Sequence, residues 1–141
     1  MSVLFVGCKS YYLRGTYDRQ NFIDQCRWKH PVASKYRPDP LYLDSLRRVE
    51  PFDAYVFVGT WCSDSRKWVP RFLAIADQLP LKRLEFIAID TTKRDSAGLT
   101  RVYSIDSVPT FIFLRQNQEI GRLVTKPHKR RLERSLYQIL K

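Results

Sequence analysis

The sequence has few of the residues on which several large classes of site depend. Its 141 residues include two histidines, three cysteines and five glycines. The cysteine spacing fits no zinc finger or ribbon, and three thiols are too few for a disulfide-dense mini-protein. The glycines form neither a P-loop nor a dinucleotide fingerprint. No apolar run approaches the roughly 20 residues of a membrane-spanning helix. We therefore exclude an integral membrane protein and expect neither a metal nor a cofactor.

Positive charge is in excess and is concentrated near residue 141. The net charge is +11, and residues 122–141 carry seven basic side chains and one acidic side chain, a net charge of +6. A basic segment of this kind suits an anionic partner such as nucleic acid or an acidic lipid surface. The alternative interpretation is that these basic side chains form a solvent-exposed face of a helix and bind no partner. The side chains that would contact an anionic surface are those of Lys129, Arg130, Arg131 and Arg134.

The first eight residues resemble the end of a bacterial lipoprotein signal, because a small residue directly precedes Cys8 after an apolar stretch. The match is incomplete, since there is no positively charged start and the apolar stretch is short. If the match holds, residues 1–8 are a signal remnant, Cys8 is an acylated anchor, and the protein lies in the cell envelope on the periplasmic side. The alternative is a short β-strand over Val3–Val6 in a cytoplasmic protein.

From residue 54 the pattern predicts the order β-α-β-α-β-β-α. Short apolar runs rich in β-branched and aromatic residues predict buried strands, and apolar residues at helical spacing predict amphipathic helices. The predicted strands are Ala54–Val58, Leu84–Ile89, Thr110–Leu114 and Glu119–Val124; the predicted helices end near Leu79, cover Ser96–Tyr103 and begin at Pro127. A parallel β-α-β half joined to a hairpin requires helices on both faces of the sheet.

The residues before this unit predict only short helices. Thr16 or Asp18 could cap a helix that ends near Cys26, and Asp39 followed by Pro40 opens a second helix. We therefore expect an α/β protein with a central mixed sheet of four or five strands. Residues 1–50 would form an N-terminal extension, and residues 51–141 the domain that carries the sheet.

One cysteine lies where this fold would expose a reactive thiol. The turn Trp61-Cys62-Ser63-Asp64-Ser65 follows the first predicted strand and opens a helix. Open α/β sheets present their sites at the carboxyl ends of the strands. The partial positive charge and free N–H groups of a helix N-terminus also favour a thiolate. The pattern therefore predicts that Cys62 is a nucleophile.

Two neighbours of Cys62 would act in opposite directions. The hydroxyl of Ser65, one turn along the helix, could donate a hydrogen bond to the sulfur. The negative charge of Asp64 disfavours an anion beside it. The alternative interpretation of Cys62 is an inert thiol that packs as a small hydrophobic side chain.

From about Asp53 to Leu140 the chain resembles a thioredoxin-fold protein. The features that carry the resemblance are Trp61-Cys62 before a helix, Pro70 eight residues later, a strand ending in Asp90, Val108-Pro109-Thr110, and a terminal hairpin over Phe111–Val124. The sequence around Cys62 is similar to that of a group of bacterial thioredoxin-like proteins. The resemblance implies a cis peptide bond before Pro109 that faces Cys62. It also implies that Trp61, Val108 and Pro109 form a surface on which an extended peptide docks.

The sequence departs from the pattern of that family at three positions. Ser65 occupies the place of the second cysteine of the Cys-x-x-Cys turn, and Val56 and Phe86 occupy the places of a buried acid and a lysine. A dithiol reductase uses its second thiol to release the mixed disulfide formed by the first. That step therefore cannot take place within this turn. Cys26 is either a core residue or a substitute for the missing thiol.

These features lead to one expected function and two alternatives. We expect a monomeric, monothiol thioredoxin-like protein that undergoes thiol–disulfide exchange through Cys62 with a protein, peptide or glutathione-type substrate. Because the resolving cysteine is absent, the sequence leaves open whether the protein is an enzyme. The first alternative is a non-catalytic module that binds peptides or proteins. The second is binding of a polyanion or an anionic membrane through the basic helix at residues 122–141.

Overall fold

The computed structural model describes residues 12–95, 97–124 and 131–141. Within these ranges lie five strands and five helices, most of them where the sequence predicts them. In chain order they are β1 (Gly15–Asp18), α1 (Arg19–Gln25), α2 (Pro40–Leu46), β2 (Phe52–Val58), α3 (Ser63–Ala76), β3 (Leu81–Ala88), α4 (Leu99–Val102), β4 (Thr110–Arg115), β5 (Gln118–Val124) and α5 (Leu132–Leu140).

The strands form one mixed sheet in the order β1-β3-β2-β4-β5. Strands β2 and β3 run parallel, with Val56 beside Phe86 and Val58 beside Ala88. The pairings of β1 with β3, β2 with β4 and β4 with β5 are antiparallel. The expected α/β class with a central mixed sheet is confirmed, and the sheet has five strands.

Aspartate side chains accept backbone hydrogen bonds at the start of three helices. Asp18 accepts a hydrogen bond from Asn21 N at 2.8 Å at the start of α1, and Asp39 accepts one from Leu41 N at 2.9 Å at the start of α2. Such caps satisfy backbone N–H groups that have no partner within the helix. Helix α4 covers Leu99–Val102 and is shorter than the predicted Ser96–Tyr103; its N-cap residue is Gly98, and the carboxylate of Asp95 accepts hydrogen bonds from Leu99 N and Thr100 N.

Alternating side chains of the central strands build a core on each face of the sheet. Successive residues of a strand point to opposite faces. Val56 and Phe86 accordingly lie in the larger cluster, and Phe57 and Ile87 lie in the smaller one. The larger cluster contains residues of α1, α2, α3 and α5, and the smaller is covered in part by α4. Helices therefore pack on both faces.

Residues 12–50 contribute to this same sheet and core. Strand β1 lies at one edge of the sheet, and it is absent from the sequence-based prediction. The buried side chains of Phe22, Cys26, Leu43 and Leu46 belong to the larger cluster. The short helices predicted for this part are present as α1 and α2. The division of the chain at residues 50 and 51 stays a prediction.

Helix α5 uses its apolar side to cover the sheet. Leu132, Leu136 and Leu140 are buried, whereas Arg134 is exposed. Arg131 donates from Nη1 to the carbonyl oxygen of Arg37 at 3.4 Å. In the described ranges, no helix has the length and apolar character needed to cross a bilayer. Cys8, Val3–Val6, Pro127, Lys129 and Arg130 lie outside the described residues, and binding of an anionic surface stays a prediction.

Candidate functional site

The turn between β2 and α3 holds Cys62 at the carboxyl edge of the sheet. The backbone N–H of Cys62 donates to Gly59 O at 2.9 Å, which closes the turn, and Arg66 N donates to Cys62 O at 3.0 Å, which starts the helix. Cys62 is the N-cap residue of α3, with φ −89° and ψ 128°. Its side chain is half-buried. The thiol is therefore held at a helix N-terminus and open to one side.

The loop that contains Pro109 faces this sulfur. Cys62 Sγ lies 3.6 Å from the carbonyl oxygen of Val108, to which the thiol donates. The Val108–Pro109 peptide bond is cis, and Val108 is 5% exposed. Sequence positions 62 and 108 thus meet in space.

Trp61 is fixed beside the sulfur by a contact to the neighbouring strand end. Its indole Nε1 donates to Ile89 O at 3.0 Å. The ring lies so close to Gly59 that a Cβ atom added there would be 2.8 Å from it. Trp61 and Cys62 both pack against the smaller core cluster. The indole therefore provides a positioned, half-buried apolar surface next to the thiol.

Ser65 occupies a different environment from the one predicted for it. The residue is fully buried, and its hydroxyl oxygen accepts a hydrogen bond from Gly59 N at 3.2 Å. Among the described residues, no hydrogen bond joins Ser65 to the Cys62 sulfur. Ser65 therefore stabilises the turn that carries Cys62, and its action on the sulfur stays a prediction. Asp64 lies in the first turn of α3 and is half-buried.

Val56 and Phe86, which stand where the family pattern has a buried acid and a lysine, make the sheet beneath the turn apolar at these two positions. Val56 and Phe86 are both fully buried and are paired across β2 and β3. Phe22 of α1 stacks on Phe86 with ring centroids 4.3 Å apart and an interplanar angle of 9°. Phe22, from the N-terminal part of the chain, therefore packs directly on one of these two apolar positions.

Thr60 joins the turn to the N-terminal part of the chain, and the sequence-based prediction omits it. The residue is 3% exposed, and its hydroxyl oxygen accepts a hydrogen bond from Leu13 N at 3.1 Å. Its carbonyl oxygen accepts from Trp28 Nε1 and from Arg66 Nε, both at 3.1 Å. A threonine in a polar turn carries no sequence signal for these contacts, because both N-terminal partners lie more than thirty residues away.

Asp90 closes β3 at the same edge of the sheet. Its carboxylate accepts hydrogen bonds from the side chain and backbone of Thr92 and forms an ion pair with Arg14 at 3.3 Å. The hydrogen bond from the Thr92 hydroxyl is the main reason that the pKa of Asp90 lies below its ordinary value. The charge is therefore used to cap the following turn.

Cys26 is buried in the larger cluster and is 2% exposed. Its thiol donates to Ile23 O at 3.5 Å. Burial raises the pKa of Cys26, and backbone hydrogen bonds oppose this rise only in part. Since the pKa is raised in the folded state, this thiol favours folding below its unfolded pKa, and the contribution is lost as the pH rises through the folded pKa.

We expect Cys26 in the native protein to resist alkylation at about pH 8–9, where an exposed cysteine reacts. Because the neutral, buried thiol reacts only after local opening, its alkylation by iodoacetamide should be at least about 100-fold slower than in the urea-unfolded chain. Peptide mapping by mass spectrometry measures both rates, and the Cys62 peptide is the internal control. Equal native rates for the two peptides would contradict this assignment.

In the described ranges, no group of three or more His, Cys, Asp or Glu side chains is placed to hold a metal ion.

The sequence model of the thioredoxin family matches residues 54–138 of the chain. The chain belongs to the thioredoxin family. It is 30% identical over 73 residues to thioredoxin H5 of Oryza sativa, covering 52% of this chain and 51% of that protein. It is also 30% identical over 82 residues to thioredoxin-1 of Drosophila melanogaster, covering 55% and 74%. The chain spans about half the length, or less, of several curated relatives that it matches.

Solved structures agree on the fold. A protein of unknown function from Pseudomonas aeruginosa superposes with a TM-score of 0.58 at 17% identity, covering 79% of this chain and 73% of that chain. The match of the family model confirms the resemblance that the sequence shows to thioredoxin-fold proteins.

Proposed function

We propose that this protein is a monothiol member of its family that exchanges disulfides with a protein, peptide or glutathione-type substrate through Cys62. The observation that carries the proposal is the half-buried sulfur at the start of α3, 3.6 Å from the Val108 carbonyl. A thiol at a helix N-terminus is favoured as a thiolate. The names of the relatives, which are thioredoxins, support the same class of chemistry.

The proposed reaction balances as a single exchange. The Cys62 thiolate attacks one sulfur of the substrate disulfide, a new S–S bond forms to Cys62, and the other substrate sulfur leaves as a thiolate. A second thiol must then attack the mixed disulfide to free the first. Trp61 and the Val108–Pro109 segment supply the surface against which an extended substrate lies, in a form of strand addition.

A second candidate function is a binding module that uses the same surface without exchange. The observation that favours it is the fully buried, apolar pair Val56 and Phe86, so that neither of these two positions holds a proton-transfer group. In this case the substrate surface beside Cys62 binds a peptide whether or not residue 62 carries a sulfur.

The two candidate functions are distinguished by whether a substrate becomes covalently attached to the Cys62 sulfur. We expect wild-type protein incubated with oxidised glutathione or a disulfide-linked peptide to form an adduct that maps to Cys62. The Cys62→Ser protein should form none, while its circular dichroism and unfolding midpoint stay at the wild-type values. Intact-mass and peptide-mapping spectrometry provide the measurement, and Cys26→Ser is the matched control because it removes a buried thiol.

Absence of an adduct on Cys62, even at raised pH, would contradict the proposed disulfide exchange. If, in addition, wild type and Cys62→Ser bound the same peptide with equal affinity by titration calorimetry, the binding module would be the function.

A further inference from the structure

A cavity lies between the loop over residues 30–37 and helix α3. Its volume is about 510 Å³, and sites for small molecules usually measure about 300–1,000 Å³. The loop is fixed on the helix, since Ala33 N donates to Pro70 O at 3.0 Å. Arg71, the residue of α3 that lines the cavity, follows Cys62 by nine residues, which is about 13 Å along a helix. The cavity is therefore separate from the exchange site.

The lining of this cavity is positively charged and holds no compensating acid. Its eight residues include neither Asp nor Glu. Glu133 contacts one lining residue, Tyr36, but this carboxylate is fully buried, and its two oxygens accept hydrogen bonds from Tyr36 Oη and Asp39 N. The basic residues in the lining are Lys35, Arg37 and Arg71, together with His30.

Arg71 is a half-buried arginine that is held by aromatic rings and not by a carboxylate. Its guanidinium carbon lies 5.4 Å from the ring centroid of Tyr36 and 4.9 Å from that of Trp68. All 14 acidic residues of the chain lie in the described ranges, and none of them forms an ion pair with Arg71. A guanidinium stacked on rings keeps its N–H edge for a planar pair of acceptor oxygens. This arginine is therefore positioned to bind an anion.

A second arginine is held at the cavity by the backbone of the loop. Arg37 Nη1 donates to Ser34 O at 3.2 Å and to Tyr36 O at 3.4 Å. Arg131, the N-cap residue of α5, donates to Arg37 O at 3.4 Å and brings a further positive charge to the loop. Among the described residues, neither arginine forms an ion pair with a carboxylate. Several cations thus meet here without an anion of this chain between them.

We propose that this cavity binds the phosphate group of a small phosphomonoester, such as a nucleoside monophosphate. Arg71 donates two N–H groups to phosphate oxygens, and Lys35 and Arg37 supply further positive charge. The apolar part of the ligand lies against Val32 and Ala33, which line the same cavity. A phosphate dianion suits the site better than a single carboxylate, because three basic side chains line it and no lining acid balances them. The proposal is independent of the proposed disulfide exchange.

Titration calorimetry of the full chain at constant ionic strength tests the site with AMP, inorganic phosphate and adenosine. We expect AMP to bind one site per chain with a Kd below about 1 mM, inorganic phosphate to bind more weakly, and adenosine not to bind. Arg71→Gln should weaken AMP binding about 10- to 100-fold, the range for loss of a hydrogen bond to a charged group. Arg71→Lys keeps the charge but not the planar pair of donors, and its loss should be smaller.

The matched control is Arg101→Gln, which removes an exposed arginine on α4 and should bind AMP as wild type does. Equal AMP affinities of wild type and Arg71→Gln, equal weakening by Arg101→Gln, or adenosine binding as tight as that of AMP would overturn the site. A phosphoserine peptide that bound more tightly than AMP would overturn the small-molecule ligand and assign the cavity to a protein partner. Circular dichroism shows whether each variant is folded, and Arg71→Lys decides if Arg71→Gln is not.

Discussion

The Phe22→Ala protein is expected to lose about 3–5 kcal/mol of its free energy of unfolding, the range for deleting a buried aromatic side chain. Phe22 is fully buried, stacks on Phe86 with centroids 4.3 Å apart, and meets Trp28 edge to face at 5.5 Å. Its removal leaves a cavity between α1 and the central strands. Because single domains are stable by only about 5–15 kcal/mol, a loss of this size removes a large share of the free energy of unfolding.

Urea unfolding followed by circular dichroism measures this change. The matched control is Leu41→Ala, since Leu41 is 78% exposed on α2, and it should change the free energy of unfolding by less than about 0.5 kcal/mol. The experiment also bears on domain organisation. A loss below about 1 kcal/mol for Phe22→Ala would mean that residues before Pro51 unfold separately from the sheet.

The Glu133→Ala protein is expected to lose about 2–4 kcal/mol, because the substitution leaves two donors without a partner. Glu133 is fully buried at the start of α5 and accepts hydrogen bonds from Tyr36 Oη at 2.6 Å and from Asp39 N at 2.8 Å. Burial and the hydrogen bond to this carboxylate both raise the pKa of Tyr36. One glutamate thus joins the segment before α2 to the last helix.

Two further variants provide reference values for the loss of stability expected of Glu133→Ala. Tyr36→Phe removes one of the two hydrogen bonds and should lose about 1–2 kcal/mol. Glu50→Ala removes an exposed glutamate and should stay within about 0.5 kcal/mol of wild type. Thermal and urea unfolding of the three proteins provide the comparison. Equal stability of Glu133→Ala and Glu50→Ala would show that the buried carboxylate does not hold the two segments together.

The parts of the fold that were predictable from sequence are those with strong local signals. Strand β2 is an apolar run, and Asp39 with Pro40 marks the start of α2. Strand β1 has four residues with alternating half-buried and exposed side chains, and its partner, β3, follows more than sixty residues later. Such a strand exists because β3 offers an unpaired edge, and no property of its own four residues indicates that edge.

The candidate site likewise has features that the sequence predicts and features that it does not. The position of Cys62 at a strand–helix junction follows from the pattern around it, and the meeting of residues 62 and 108 was implied by family resemblance. The partners of Ser65 and Thr60 were not predictable, because hydroxyl groups bond to whichever backbone group the tertiary fold presents. Ser65 accepts from Gly59 N, and Thr60 accepts from Leu13 N.

The two ends of β2 differ in how close they lie to the Cys62 thiol, which decides where a label can be attached. Arg115 donates to carbonyl oxygens of Glu50 and Leu140, so the end of α5 lies where β2 begins. A strand of seven residues is about 23 Å long, and the thiol lies beyond its other end. A fluorophore, bead or affinity handle attached after Lys141 therefore leaves the sulfur accessible to large substrates. The same handle attached at Leu13, whose N–H donates to Thr60 two residues before Cys62, would lie close to the sulfur.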